Sequence, residues 1–141
     1  MEITKTLEVP RQFIFEKIVE SGLYDIQKYT GKRPKISALK GFEYKKQFGS
    51  KQNQAGRIKF DEVVEPSVYA FTTTTIRNTF TTRWELHKID DRTTDVVISE
   101  TMVSKGFLQK INDQLMSIGL GYFKKRQMLA ILDSISRSYN G

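Results

Sequence analysis

The chain is predicted to fold as an α+β domain in which a curved antiparallel β-sheet wraps around a long C-terminal α-helix, with two short helices after the first strand. Three observations carry this. From about Ser104 to Tyr139 the apolar residues Leu108, Ile111, Leu115, Ile118, Tyr122, Leu129, Leu132 and Tyr139 step by threes and fours, so they share one helix face, interrupted only by Lys125 and Ser136. A second row, Phe107, Phe123, Met128, Ile131 and Ile135, widens that face beyond a coiled-coil seam, as a helix lying on a sheet requires. Outside one helical stretch near the N-terminus, the remaining sequence alternates with a period of two and is broken by short polar turns, the pattern of strands that pair antiparallel with their neighbours.

Taken in order, Glu2 to Val9 reads as a half-buried strand, with Ile3, Leu7 and Val9 on one side and Lys5 as the exception there. Pro10 suits the first turn of a helix, where a missing N–H is no loss. Phe15, Ile18, Val19, Gly22, Leu23, Ile26 and Tyr29 then fall at helical spacing, and Gly31 offers a left-handed stop. Gly22 is expected to divide this stretch into two short helices, because a central glycine costs about 1 kcal/mol relative to alanine. After a basic connector around Pro34, alternation returns with Phe42, Tyr44 and Phe48 on one face. Gly49 to Gly56 forms a polar turn, and Arg57 to Val64 alternates again until Pro66. Val68 to Arg77 contains the β-branched run Thr72 to Thr75, which suits a strand. Asn78 turns the chain into a strand with Phe80, Thr82, Trp84 and Leu86 on one face and Thr81, Arg83, Glu85 and His87 on the other. Beyond the turn at Asp90 to Arg92, Val96, Ile98, Glu100 and Met102 line one face of the last strand.

Composition bounds the function classes. The 141 residues suit one domain spanning 1–141, and the absence of cysteine excludes disulfides, thiolate nucleophiles and sulfur-ligated zinc. The start Met1-Glu2-Ile3-Thr4-Lys5-Thr6 has no basic, then apolar, leader pattern, and no 18-residue apolar run occurs; a cytoplasmic location is the expectation. A net charge of +7 could announce nucleic acid or an anionic membrane surface. The excess is dispersed, however, over Lys28, Lys32, Arg33, Lys35 and Lys40 in one stretch and Lys124, Lys125 and Arg126 in another. Such dispersion is the pattern of a solvated surface, so no specific nucleic-acid partner is expected.

The order of elements resembles the helix-grip fold shared by plant pathogenesis-related (Bet v 1-like) allergens, lipid-transfer START domains and polyketide cyclases, over essentially the whole chain. More closely, the segments ITKTLEVP, GLYDIQKYTGK, LKGFEYKKQFG and IRNTFTTRWEL are similar to a small family of uncharacterised Gram-positive bacterial proteins known only as a domain of unknown function. The likeness implies a hydrophobic cavity between sheet and helix. It brings no established activity, cofactor or catalytic residue to place on these positions.

Several residues are candidates for chemistry. His87, the lone histidine, points away from the apolar face and reads as a surface residue. Glu100 shares a face with Val96 and Ile98; it either faces the cavity, where a carboxylate needs partners, or is returned to solvent by a bulge or the strand end. Tyr44, Phe80 and Trp84, with Tyr122 and Phe123 facing them from the helix, are either plain core or the walls of a pocket in which Tyr44, Thr82 and Glu100 supply the few polar groups that orient a ligand. Gly119 and Gly121 in one helical turn imply a kink, close packing or room for a ligand. Phosphate cradles, paired histidine ligands and a nucleophile elbow are missing, and GLGYF lacks the strand that a dinucleotide loop follows.

The favoured reading is a module that binds a small hydrophobic or amphipathic molecule through Tyr44, Phe80, Thr82, Trp84, Glu100, Gly119, Tyr122 and Phe123, without metal or cofactor. A cyclase- or hydrolase-like enzyme would use the same pocket and needs a second ionisable group beside Glu100. Weak binding to an anionic surface or nucleic acid rests on charge alone.

Overall fold

The computed structural model describes residues 1–47, 55–104 and 124–139. Phe48, Leu115, Ile118, Gly119, Gly121, Tyr122 and Phe123 of the sequence reading lie outside them.

Strands β1 (Glu2–Leu7), β2 (Glu43–Gln47), β3 (Ala55–Val64), β4 (Val68–Thr75), β5 (Asn78–Asp90) and β6 (Thr93–Ser104) form one antiparallel sheet in the order β1-β6-β5-β4-β3-β2. The five strands from β2 onward are the predicted meander, and β1 joins its far edge by pairing with β6, Ile3 opposite Ile98. Register puts the apolar residues in rows across the concave face. Tyr69, Trp84 and Ile98 are successive partners, as are Phe60 and Phe71, while Tyr44 opposes Ile58 and Leu86 opposes Val96. Because a one-residue slip would turn every one of these side chains to solvent, burial of this face fixes the register. The opposite face carries an exposed charge chain in which Arg83 contacts Glu62 at 2.5 Å and Glu85 at 2.8 Å, with His87 beside Glu85 at 3.2 Å. His87 therefore sits where alternation put it.

Helix α1 (Arg11–Thr30) departs from expectation, since it is one continuous 20-residue element and not two short helices. Pro10 caps it from outside, its carbonyl accepting the amides of Phe13 and Ile14, and Gly31 stops it in the left-handed conformation with its N–H on the Gln27 carbonyl. Ile14, Phe15, Ile18, Val19, Leu23 and Ile26 are buried, and their packing outweighs the propensity cost of a central glycine. Gly22 is needed there for space. A Cβ at this position would overlap the Tyr69 hydroxyl and touch Phe60, so the helix backbone approaches the sheet more closely than any other residue allows.

Residues 124–138 form a second helix, α2. Leu132 and Ile135 are buried, with Met128 and Tyr139 partly buried against the same core. Leu129, expected to be buried, is 39% exposed. At 100° per residue the axis of the buried face runs through Met128, Leu132, Ile135 and Tyr139, which leaves Leu129 roughly 90° round the helix, on its shoulder. Tyr139 meets Phe13 of α1 edge-on, centroids 5.0 Å apart, and so ties the two helices together.

Replacing Gly22 by alanine sets a propensity gain of about 1 kcal/mol against an overpacking cost of roughly 1–3 kcal/mol. Tyr69 is confined between Phe60 and Phe71, so the overlap should win and Gly22→Ala should lower stability in urea unfolding. In a Tyr69→Phe background the hydroxyl is gone and the nearest ring carbon stands 3.6 Å from the new Cβ, so the same change should be neutral or stabilising. Equal effects in both backgrounds would refute the steric explanation.

Candidate functional site

A cavity of about 640 Å³ lies between the concave sheet face and the two helices. Its floor is aromatic: Phe60 on β3, Tyr69 and Phe71 on β4 and Trp84 on β5, reached because these residues alternate inward along their strands. The rings form a continuous set, with Tyr44 stacked on Phe60 at 6.3 Å, Phe60 at 5.8 Å from Tyr69, and Tyr69 at 5.7 Å from Phe71. One wall is the face of α1 that carries Lys17, Ser21, Gly22 and Asp25; the other is the flank of α2 that carries Ile131, Ser134 and Ser138. The polar residues of both helices thus stand where the cavity opens, above an apolar interior, an arrangement suited to an amphipathic guest.

One polar cluster crosses the site. Asp25 accepts a hydrogen bond from the Tyr44 hydroxyl and pairs with Lys46 at 2.9 Å, which joins α1 to the edge strand β2. Burial, the hydrogen bond to Asp25 and the Asp25 charge together push the Tyr44 phenol well above its ordinary range. Tyr69 is raised too, by burial first and then by the Asp25 charge. Both phenols are therefore neutral donors, unsuited to serve as bases near neutral pH.

The predicted site residues divide into two groups. Tyr44 and Trp84 line the cavity. Phe80, Thr82 and Glu100 gather around Lys124 of α2: Thr82 donates to Glu100 at 3.1 Å, Lys124 pairs with Glu100 at 2.8 Å, and the Lys124 ammonium stands 5.6 Å from the Phe80 ring centre. Glu100 does face inward, as one of its two readings required, and the Lys124 and Thr82 contacts offset its desolvation. Tyr44 and Glu100 do not converge, because β3, β4 and β5 lie between their strands, roughly 19 Å at 4.8 Å per step. Gly119, Tyr122 and Phe123 fall outside the described residues. Sequence reasoning missed Asp25, Lys46 and Tyr69. Tyr69 and Phe71 alternate toward the Trp84 face, and Asp25 follows Ile18 and Gly22 along one helix face, so the periods that found the elements could have found these residues.

No group of three or more potential metal-ligating side chains occurs among the described residues, and none of their helices is long and apolar enough to cross a membrane.

Residues 1–121 match the family described as Domain of unknown function (DUF3284), and the chain belongs to it. No curated protein matches the sequence. Among solved structures, the chain resembles protein CV1439 from Chromobacterium violaceum (14% identity over 99% of this chain and 97% of that one, TM-score 0.61). It also resembles the Zhui aromatase/cyclase from Streptomyces sp. R1128 (13%, 96% and 90%, 0.55) and Ara h 8.0201 (16%, 96% and 95%, 0.50). At these identities the likeness establishes the fold: an α+β helix-grip domain with a six-stranded antiparallel sheet and a C-terminal helix, as the order of elements implied.

Raised phenol pKa values have a consequence in alkali. Above the ordinary phenol value of about 10, tyrosines of the unfolded chain lose protons while Tyr44 and Tyr69 in the folded chain keep theirs. The unfolded state then binds fewer protons, so stability falls as pH rises through that value. Urea unfolding between about pH 8 and pH 11 should show this decline, and Tyr44→Phe and Tyr69→Phe should each make it shallower. Identical slopes in all three proteins would mean that these phenols ionise alike in both states.

Proposed function

We propose that the domain binds a small hydrophobic or amphipathic molecule in the cavity between the sheet, α1 and α2. The observation that carries this reading is the composition of the cavity: about 640 Å³ floored by four aromatic side chains, one of which, Tyr69, carries a hydroxyl, with the charged groups and serine hydroxyls confined to its opening and to the Asp25 cluster. Space of that size suits a drug-sized guest. Catalysis has weaker support. Lys124 is an ionisable neighbour of Glu100, as an enzyme would need, but the two groups satisfy each other and stand outside the cavity lining.

Trp84 is the only tryptophan and lines the cavity, so its emission reports occupancy without a label. Titration with an apolar aromatic probe should change Trp84 emission saturably. Ser134→Phe fills the cavity from an exposed helix position and should weaken binding at least about tenfold while the melting temperature stays within a few degrees. Glu100→Gln should leave probe affinity unchanged. A folded protein whose Trp84 emission ignores every probe, or one in which Ser134→Phe binds as well as the parent, removes the basis for this reading.

A further inference from the structure

Tyr69 differs from every other polar group around the cavity. Its side chain is almost wholly buried, 5% exposed, yet its hydroxyl has no hydrogen-bond partner among the described residues. No fully sealed side-chain oxygen or nitrogen among those residues lacks a partner, so the Tyr69 oxygen borders open cavity space and is not closed off by protein. Buried hydroxyls are normally satisfied, because one without a partner costs about 1–3 kcal/mol. Of the other lining hydroxyls, those of Ser21 and Ser134 sit at exposed positions, and three further donors are committed. Tyr44 donates a hydrogen bond to Asp25, Lys46 contacts both Asp25 oxygens at 2.9 and 3.0 Å, and Ser138 donates to the Ile135 carbonyl. Gly22 holds the Tyr69 hydroxyl in place against the α1 backbone, so the O–H is pre-positioned.

We propose that Tyr69 anchors the guest, donating a hydrogen bond to a neutral carbonyl oxygen, of the ketone or ester kind, carried on a ring-containing apolar compound. This rests on the ligand-binding reading above and narrows its ligand class. The ring follows from the walls, since Phe60 and Phe71 stand 5.8 and 5.7 Å from Tyr69 and present surfaces on which a flat ring packs better than a flexible chain. Neutrality follows from burial and charge. Burial, and after it the Asp25 charge, disfavour an anion at the Tyr69 oxygen, and the same two effects oppose a carboxylate or phenolate oxygen docking beside it. A pure hydrocarbon would leave the hydroxyl unsatisfied.

Three probes with one ring system test the assignment: 2-acetylnaphthalene, 2-ethylnaphthalene and 2-naphthoate, titrated against Trp84 emission in the wild type and in Tyr69→Phe. Wild type should bind the ketone about tenfold more tightly than the ethyl compound, the worth of one hydrogen bond of this kind, and should bind the carboxylate no better than the ethyl compound. Tyr69→Phe should erase the preference for the ketone while binding 2-ethylnaphthalene as before. Since the substitution removes a hydroxyl with no partner among the described residues, circular dichroism should show the native fold retained. Equal binding of ketone and ethyl compound by wild type overturns the proposal whatever the stability of the variant, as does a ketone preference that survives in Tyr69→Phe. Tightest binding of the carboxylate would instead make this an anion site. If none of the three binds, the pocket reading itself fails and the anchor with it.

Discussion

The close approach of α1 to the sheet at Gly22, where the Tyr69 hydroxyl fills the space that a Cβ would take, sets the geometry on which the cavity depends. A sheet that twists over six strands diverges from any straight helix laid across it, so contact at one place implies separation at another. Here the contact falls at mid-helix. From Gly22 the aromatic floor runs across β3 and β4 to Trp84, and the divergence leaves the volume that the flank of α2 borders. The same contact explains why a residue poor in helix propensity sits inside a helix: local propensity is worth about 1 kcal/mol, and the packing of six buried apolar side chains on α1 is worth several times that.

Asp25 is the second constraint, and it acts through charge. A half-buried carboxylate is tolerable only when its oxygens are satisfied, and Tyr44 and Lys46 do this from the adjacent edge strand. The pair therefore fastens the short edge strand β2, which otherwise pairs only with β3, to the helix that covers the sheet. It also helps determine the chemistry available inside. Burial first, and then the Asp25 hydrogen bond to Tyr44 and the Asp25 charge, favour the neutral phenols of Tyr44 and Tyr69, so the aromatic floor presents neutral hydrogen-bond donors.

How far the sequence spoke for this structure depended on whether a feature is local. The strand faces were legible because alternation needs only a few residues, and Phe60, Trp84, Val96 and Ile98 lie buried where the period placed them. Gly31 was legible as a helix stop because its left-handed conformation is a backbone property. The break expected at Gly22 was not, since the helix is kept continuous by packing against the sheet, and what requires glycine there is a tyrosine almost fifty positions away in the chain. Leu129 shows a finer limit: periodicity found the apolar stripe, but its centre was set by the neighbours α2 packs against, and one position on the shoulder turned to solvent. Separation in sequence also hid the polar centre of the site, because Asp25 and Tyr44, 19 positions apart, meet only once α1 crosses β2.

Two polar clusters occupy the inner side of the sheet, and their surroundings assign them different work. Thr82 and Lys124 both contact the same oxygen of Glu100, and this set holds α2 to β5 and β6. The Asp25 cluster is held through Tyr44 and Lys46, but a hydroxyl left open, that of Tyr69, stands in the same aromatic row. Unsatisfied polar groups are costly in a core and useful in a binding site, where the partner arrives with the ligand. Glu100, the carboxylate that alternation singled out, is held by protein partners, whereas the phenol that alternation passed over, Tyr69, lies in the cavity lining.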